Sequence, residues 1–292
     1  MNSKPDLVLF FIVNSFSGNR HLDYTQIIQN YFKATSHITH FYPLPKNCSI
    51  QAIKGAIARY NPDRVIAVGG DGTVKLAAEC LMGTSIPLAI IPAGSANGMA
   101  KEMNIKSNPK SALDTVIHGI PRRVHALLIN KQLSIHLADI GINARIIKKF
   151  QSSKERGMTG YAKAAWQTFK RHKKMHVTIT TGQKMWARKA EMVVIANGTT
   201  YGTGVKINKT GSLYDDHFEV IIVKWFSLLE LLKMCFSFKT PFNPFKTEII
   251  QTDKVTLKIK ENTFFQIDGE YIGKVNLIEA EIIKEALYII SP

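Results

Sequence analysis

The sequence predicts two domains: an α/β N-terminal domain with a Rossmann-like parallel sheet, and a β-rich C-terminal domain of antiparallel sandwich type. Three observations predict it. Apolar runs and helical periods alternate through about the first 120 residues, and strand-like runs dominate from about Arg122 onward. The length of 292 residues suits two cores at roughly 100–200 residues per domain. The boundary is expected near Pro121, giving domains 1–121 and 122–292, with about the last ten residues able to return to the first.

Each element has its own signal. Leu7–Val13 is a continuous apolar run, as a strand buried on both faces requires. Asp23–Ala34 carries Ile27, Ile28, Tyr31 and Phe32 at helical spacing, and Ile50–Tyr60 repeats that period through Ile53, Ile57 and Tyr60. Strands are expected at His37–Tyr42, Arg64–Val68 and Pro87–Ile91, with a helix over Thr73–Met82. This βαβα rhythm argues a parallel sheet covered by helices on both faces. Beyond it, Arg122–Ile129 and Gln132–Ile140 read as strands joined at Asn130–Lys131. After a basic helical insert come Met175–Thr181, Met185–Ala196, Phe218–Val223, Val255–Ile259, Thr263–Ile267 and Val275–Ile283. Many strands with few helices suggest a sandwich or barrel-like domain.

Composition narrows the classes. With 45% hydrophobic and 21% charged residues, the chain is neither disordered, collagen-like nor disulfide-stapled. The net charge of +16 favours anionic partners: nucleic acid, an acidic lipid face or a phosphorylated small molecule. Cys48, Cys80 and Cys235 are far apart without a C-x-x-C, which suits reduced thiols in a cytoplasmic protein and no zinc site. The N-terminal apolar stretch reads as a first strand rather than a secretion signal. No run approaches the roughly 18 apolar residues of a membrane span, so a peripheral contact at the inner membrane face is the expected mode.

The most informative segment runs a short strand into Gly69-Gly70-Asp71-Gly72-Thr73 and then a helix that opens at Thr73. Glycines let backbone approach a ligand closely, and a helix start presents unpaired N–H groups to a phosphate. Asp71 could hold a metal-bound water or a ribose hydroxyl, while Thr73 could cap the helix and reach a phosphate oxygen. An ordinary glycine turn capped by Thr73 is the alternative. Pro92-Ala-Gly94-Ser95-Ala-Asn97-Gly98 again follows a strand, and Asn14-Ser-Phe-Ser17-Gly18 leaves the first strand. All three should lie on the carboxyl edge of the sheet, where open α/β sheets bind ligands.

VNSFSG, GGDGT, PAGSANGMA and the late QIDGEYIG occur in an order that resembles the diacylglycerol kinase catalytic family. That family includes bacterial lipid kinases and sphingosine kinases, with NAD kinases more distant. The resemblance covers nearly the whole chain, including Ala196-Asn-Gly and Tyr201-Gly-Thr-Gly. It implies ATP-dependent phosphorylation of a lipid hydroxyl, most simply diacylglycerol to phosphatidic acid, in a cleft between the two domains. It also implies nucleotide contacts from Asn14, Ser17, Gly18, Gly70, Asp71, Gly72, Thr73 and Ser95, with Asn97 ordering its loop.

Asp268-Gly269-Glu270 is the local candidate for the proton acceptor that phosphoryl transfer needs. An Asp-Gly hairpin turn is the bland alternative. Similar enzymes place the acceptor within this D-G-E; Glu270 and Asp268 both remain candidates, Glu270 slightly ahead. The resemblance further implies a Mg²⁺ ion held by Asp215 with backbone carbonyls of Ser212 and His217, or by Asp216 in a register one residue later. A second Mg²⁺ would arrive with ATP. Departures from the family pattern are Ser95 for threonine, Gly98 for an acid, Lys75-Leu76 for Asn-Glu or His-Glu, Asp216 for glycine, and Tyr42-Pro43 where a threonine is usual.

Two surfaces stand out. Lys148–Lys174 holds nine Lys or Arg against the single acid Glu155, interleaved with Phe150, Tyr161, Trp166 and Phe169. Such a segment suits either a solvated helix face or transient contact with an anionic membrane. Trp225–Phe245 is rich in large apolar groups fit for a core, a lipid pocket or shallow insertion. The expected partner is therefore a lipid alcohol, with no nucleic acid because no binding module for it is recognisable, and with the oligomeric state open. Alternatives are another lipid-alcohol or sphingoid-base kinase, a NAD kinase, or a non-catalytic nucleotide or lipid binder.

Overall fold

The fold is a computed structural model describing residues 6–15, 22–45, 48–153, 157–169, 173–201, 205–208, 211–225, 227 and 243–292. The chain forms two units, Met1–Val124 with Glu285–Pro292, and His125–Lys284.

The first unit is built on short strands that are apolar throughout. Its elements are β1 (Val8–Val13), α1 (Tyr24–Phe32), β2 (Ile38–Pro43), α2 (Ile50–Tyr60), β3 (Arg64–Gly69), α3 (Asp71–Leu81), β4 (Leu88–Pro92), α4 (Gly98–Glu102), α5 (Pro109–His118) and the start of β5 (Ile120–Ile129). The strands pair in parallel in the order β2-β1-β3-β4. Leu9, Phe10, Phe11, Ile12, Val65 and Ile66 are wholly buried, because helices cover both faces of a parallel sheet. Asp23 caps α1 by accepting the Gln26 N–H, and Asn108 caps α5 with Pro109 at its first turn. The Asn108-Pro109 helix is an addition to the elements expected from the sequence.

Helix α3 opens at Asp71, two residues earlier than its apolar period suggests. Gly70 takes the extended cap position, at φ −90° and ψ −171°. Thr73 is therefore inside the first turn and not the capping residue.

The second unit continues with β6 (Gln132–Ser134), β7 (Leu137–Gly141), α6 (Ile142–Gln151), α7 (Gly157–Phe169), β8 (Met175–Thr181), β9 (Lys184–Ala190) and β10 (Met192–Ala196). It ends with β11 (Thr200–Tyr201), β12 (Val205–Lys206), β13 (Phe218–Val223), a 3₁₀ turn at Pro244–Lys246, β14 (Thr247–Thr252), β15 (Lys254–Ile267) and β16 (Glu270–Ser291), whose last residues belong to the first unit and meet β4 in parallel at Ile289 and Leu88. Pairing within the second unit is antiparallel, in the order β14-β13-β10-β7-β15, with β8 and β9 extending from β15. Met192, Val194 and Ala196 face the cluster that includes Ile142, Ile146, Ala164 and Ala165 of α6 and α7. Their neighbours Val193 and Ile195 face a second cluster with Leu127, Phe218, Leu257 and Phe265. Alternation with period two thus fills both sides of one strand.

Four expected strands differ in extent. Gln132–Ile140 divides into β6 and β7 because the N–H groups of Ile135, His136 and Leu137 are drawn to the Asp268 carboxylate. Met185–Ala196 divides at Glu191, whose N–H goes to Val223 O at 2.9 Å. Val255–Ile259 and Thr263–Ile267 instead merge in β15, with a register shift between Lys258 and Thr263. Most of the apolar segment Trp225–Phe245 lies outside the described residues, as do parts of the basic segment Lys148–Lys174. Trp225 and Phe245 themselves are exposed.

Candidate functional site

In the first unit the ends of β1, β3 and β4 are tied side by side. The Asn14 N–H donates to Val68 O at 3.0 Å, and the Ala93 N–H to Gly69 O at 2.9 Å. The loops beyond them interlock. Asn14 Nδ2 donates to Thr73 Oγ1 at 3.1 Å, which buries the threonine hydroxyl against the first loop. Asp71 Oδ1 accepts the Met99 N–H at 3.2 Å, so the acid of GGDGT anchors the start of α4. Asn97 sits in the left-handed region at φ 52°, its amide accepting from Gly94 N at 2.9 Å and donating to Gly94 O at 2.8 Å. Burial pulls the Lys101 ammonium below its ordinary range, while the Asp71 charge pushes it back up. Gly72 in the first turn of α3 and Ser95 in the second loop are exposed. The first N–H groups of α3 have no intrahelical acceptor and point a partial positive charge outward. Ser17 and Gly18 lie outside the described residues. Lys75, one of the departures from the family pattern, is buried in α3.

In the second unit the D-G-E turn closes the β15–β16 hairpin, with Ile267 opposite Glu270. Asp268 and Gly269 both take positive φ, 49° and 85°, which a two-residue Asp-Gly turn accommodates. The two acids differ sharply. Asp268 is buried, and among the described residues its carboxylate accepts hydrogen bonds from Ser134 Oγ (3.1 Å), Ile135 N (3.1 Å), His136 N (3.0 Å) and Leu137 N (3.1 Å). Glu270 is exposed. Behind the turn, Gln266 Oε1 accepts the Gly269 N–H at 2.7 Å, and Gln266 Nε2 donates to the buried Asp139 carboxylate. Asp139 also accepts from Asn143 Nδ2 at 2.8 Å and Ala144 N at 3.0 Å, and Tyr161 donates to Asn143.

The segment 212–219 holds three further acids in three states. Asp215 Oδ1 is buried with no hydrogen-bond partner among the described residues. Asp216 is exposed and bonded by Lys284 Nζ at 2.6 Å, with His125 Nε2 at 3.6 Å, and the lysine holds its carboxyl below the usual range. Burial pushes the Glu219 carboxyl up to about 6, although Asn208 and Gln251 both donate to it. Ser212 Oγ accepts the Tyr214 N–H at 3.1 Å, and His217 is exposed. Among the described residues no three His, Cys, Asp or Glu side chains cluster as a metal cage. A single carboxylate with carbonyl and water ligands is nonetheless a normal Mg²⁺ donor set, and the orphaned Asp215 oxygen fits it.

Comparison with known proteins bears on both units. The family model described as the diacylglycerol kinase catalytic domain matches residues 8–129. The YegS C-terminal NAD kinase beta sandwich-like domain matches residues 137–291, more than half of the chain. The chain belongs to the diacylglycerol kinase catalytic family. An uncharacterized protein of Synechocystis sp. is 27% identical over 240 residues, 78% of this chain and 54% of its own length. The chain thus spans about half of that relative. A diacylglycerol kinase of Mycobacterium tuberculosis is 46% identical over 68 residues, 23% of this chain and 22% of its own. The crystal structure of a diacylglycerol kinase from Bacillus anthracis superposes with a TM-score of 0.73 at 17% identity, covering 99% of this chain and 98% of its own. A second crystal structure from that organism superposes with a TM-score of 0.80 at 18% identity, covering 100% and 97%. These likenesses establish a shared two-domain fold, mixed α/β followed by β sandwich.

For this member of the diacylglycerol kinase family, Asn14, Gly70 to Thr73, Ser95 and Asn97 come together on one edge of the first unit. Asp139, Asn143, Gln266 and Ser134 are additions that the sequence did not single out. A signal was available: Asp139 and Gln266 are polar residues within otherwise apolar strand runs, and buried polar groups demand partners.

Proposed function

We propose that the chain is an ATP-dependent lipid kinase that transfers the γ-phosphoryl group to a primary hydroxyl of a lipid alcohol, diacylglycerol being the leading substrate. The observation that carries this reading is the interlocking of the two glycine loops in a chain matched by the diacylglycerol kinase catalytic domain. The N–H groups at the start of α3, with the loop backbone around Gly70, Gly72 and Ser95, hold the triphosphate and offset its charge. Asp71 keeps the second loop against the first. Glu270, the acid of D-G-E that stands in solvent, accepts the proton of the attacking hydroxyl. Asp268, its carboxylate bonded by Ser134, Ile135, His136 and Leu137 of its own unit, is a positioning residue that sets the turn from which Glu270 projects. Asp215, with carbonyls of Ser212 and His217, would hold Mg²⁺, which when bound supplies positive charge beside that acidic segment. The proposed place of action is the cytoplasmic membrane face, where ATP and lipid alcohols meet. Among the described residues no helix is long and apolar enough to cross a membrane.

The test is phosphoryl transfer from labelled ATP to a panel of diacylglycerol, sphingosine, other lipid alcohols and NAD, with Glu270→Gln and Asp71→Asn in parallel. Label should enter a lipid and fall by about a hundredfold or more in Glu270→Gln. Label in NAD alone, or ATP binding without transfer to any acceptor, overturns the reading.

A further inference from the structure

We propose that Asp139 is a second positioning residue for Glu270, acting through Gln266. Its carboxylate holds the Gln266 amide in the orientation that accepts the Gly269 N–H, and so fixes the turn from which Glu270 projects. The proposal deepens the lipid-kinase reading and rests on it for the role of Glu270, though one arm of its test needs no turnover.

Asp139 and Gln266 stand directly opposite each other on β7 and β15, and both are buried. Their chain neighbours Ala138, Ile140, Phe265 and Ile267 belong to one core cluster, so alternation turns these two residues to the other face of the sheet. That face is apolar around them. Val194, across from Asp139 on β10, belongs to the cluster that holds Ile142 and Ile146 of α6 with Ala164 and Ala165 of α7. An apolar pair would fill such a layer without desolvating a carboxylate and an amide. What the polar pair adds is a bond to the turn.

The ladder of a two-residue turn joins the flanking residues, here Ile267 and Glu270, and leaves the two central N–H groups to find acceptors elsewhere. The Asp268 N–H goes to Leu137 O at 2.8 Å, and the Gly269 N–H to Gln266 Oε1 at 2.7 Å. The Gln266 amide is thereby oriented from both ends. A backbone N–H can only donate, so Oε1 must face Gly269 and Nε2 must face Asp139. Asp139 accepts from Gln266 Nε2, from Asn143 Nδ2 at 2.8 Å and from the Ala144 N–H at 3.0 Å. An ionised carboxylate receives them all because it offers acceptors alone. Asn143 Oδ1 in turn accepts from the Tyr161 hydroxyl, a group able to accept as well as donate.

An amide at position 139 reverses this logic. In Asp139→Asn the remaining oxygen is kept by the Ala144 N–H, and an NH2 group arrives where Gln266 Nε2 donates. The Gln266 amide is then driven to turn over and to point Nε2 at the Gly269 N–H. Two donors face each other, and the turn loses its hold with Glu270 itself unchanged.

The experiment measures diacylglycerol phosphorylation and hydrogen exchange of the Gly269 amide in the full chain. Asp139→Asn should lower kcat by about 10- to 100-fold and leave the KM for ATP within about twofold. It should also speed Gly269 exchange by about tenfold or more. Asp139→Asn combined with Gln266→Glu should restore both. In that pair the new amide donates to the new carboxylate, which accepts the Gly269 N–H, and Asn143 turns over against the Tyr161 hydroxyl; the charge of the cluster is unchanged. Gln266→Met, near in size but without an acceptor, should match the losses of Asp139→Asn and decides the matter if that variant does not fold. Thr168→Val removes a buried hydrogen bond to Ala164 O within α7 and controls for lost stability, so its kcat should stay within about twofold of wild type. An unchanged kcat in Asp139→Asn and Gln266→Met overturns the proposal, as does a loss that persists in the double variant although Gly269 is protected again. An equal loss in Thr168→Val also overturns it, because turnover would then follow stability. Gly269 protection lost and regained in this order, in a chain that phosphorylates no lipid, would refute the kinase reading and keep the hold on the turn.

Discussion

A Cβ atom placed on Gly94 would stand 2.5 Å from the Cα of Gly70. No side-chain rotation can relieve a clash with backbone, so the two glycine loops approach each other only because both residues lack a side chain. The same Cβ would lie 2.9 Å from Asn97 Oδ1, the atom that accepts the Gly94 N–H. Gly94→Ala should therefore separate the loops and weaken ATP binding by about tenfold or more, equivalent to about 1.4 kcal/mol. Gly55→Ala is the control. Position 55 lies inside α2 with nothing within 4 Å of a new Cβ, and that change should raise stability by about 0.5–1 kcal/mol. Calorimetric titration with ATP and thermal unfolding check both.

The contrasting surroundings of Asp268 and Glu270 give opposite expectations for two isosteric changes. Asp268→Asn turns one acceptor oxygen into a donor that faces the Ser134, Ile135, His136 and Leu137 donors. It should cost about 2–3 kcal/mol of stability, as leaving a buried charge-assisted bond unmade does. Glu270→Gln, at an exposed position, should leave stability within about 0.5 kcal/mol while abolishing turnover. Urea unfolding alongside the transfer assay separates the two, and a reversed pattern would make Asp268 the proton acceptor.

Much of the first unit was legible in the sequence because its signals are local. A strand buried on both faces is a run such as Leu-Phe-Phe-Ile, and the loops that must approach closely spell themselves in glycine. Helix α5 was missed although its signal is equally local, Asn108-Pro109 being a cap followed by a first-turn proline. The second unit was harder for a physical reason. Whether Asp268 is buried or exposed depends on donors 131 to 134 residues away. Those same donors break the apolar run Gln132–Ile140 into two strands, and no local pattern encodes that event. The strand β14 was missed for a milder reason: among the described residues Thr247–Thr252 pairs only with β13, and it alternates weakly.

Asp215 offers a test of metal binding that needs no substrate. Its buried, unpartnered oxygen is a liability without a cation and an anchor with one. Adding Mg²⁺ in the absence of nucleotide should raise the melting temperature of the wild type by about 3–5 °C at tenfold excess over Kd. Asp215→Asn should remove that response, and in chelator it should melt no lower than wild type. The Asp216→Asn variant loses exposed contacts with Lys284 and His125 and should keep the Mg²⁺ response. Differential scanning calorimetry reads all three.

The Glu248 carboxylate gives the second unit a pH dependence in acid. Arg188 reaches it through Nε at 2.9 Å and Nη2 at 2.7 Å, and Lys224 Nζ lies at 2.8 Å. These bonds, the arginine's first, bring its pKa down to about 2 from the ordinary 4.5. A carboxyl that binds its proton less readily when folded stabilises the fold wherever it is ionised in both states. The contribution is thus fully present above about pH 4.5 and is lost as pH falls through about 2. With the side chain 24% exposed, solvent screening reduces the gain to about 2 kcal/mol. Glu248→Gln should then be less stable than wild type by that amount at neutral pH, and the gap should narrow steadily between pH 4.5 and pH 2. Urea unfolding of both proteins across that range checks it. A gap that stays constant with pH would mean the variant lost packing rather than charge.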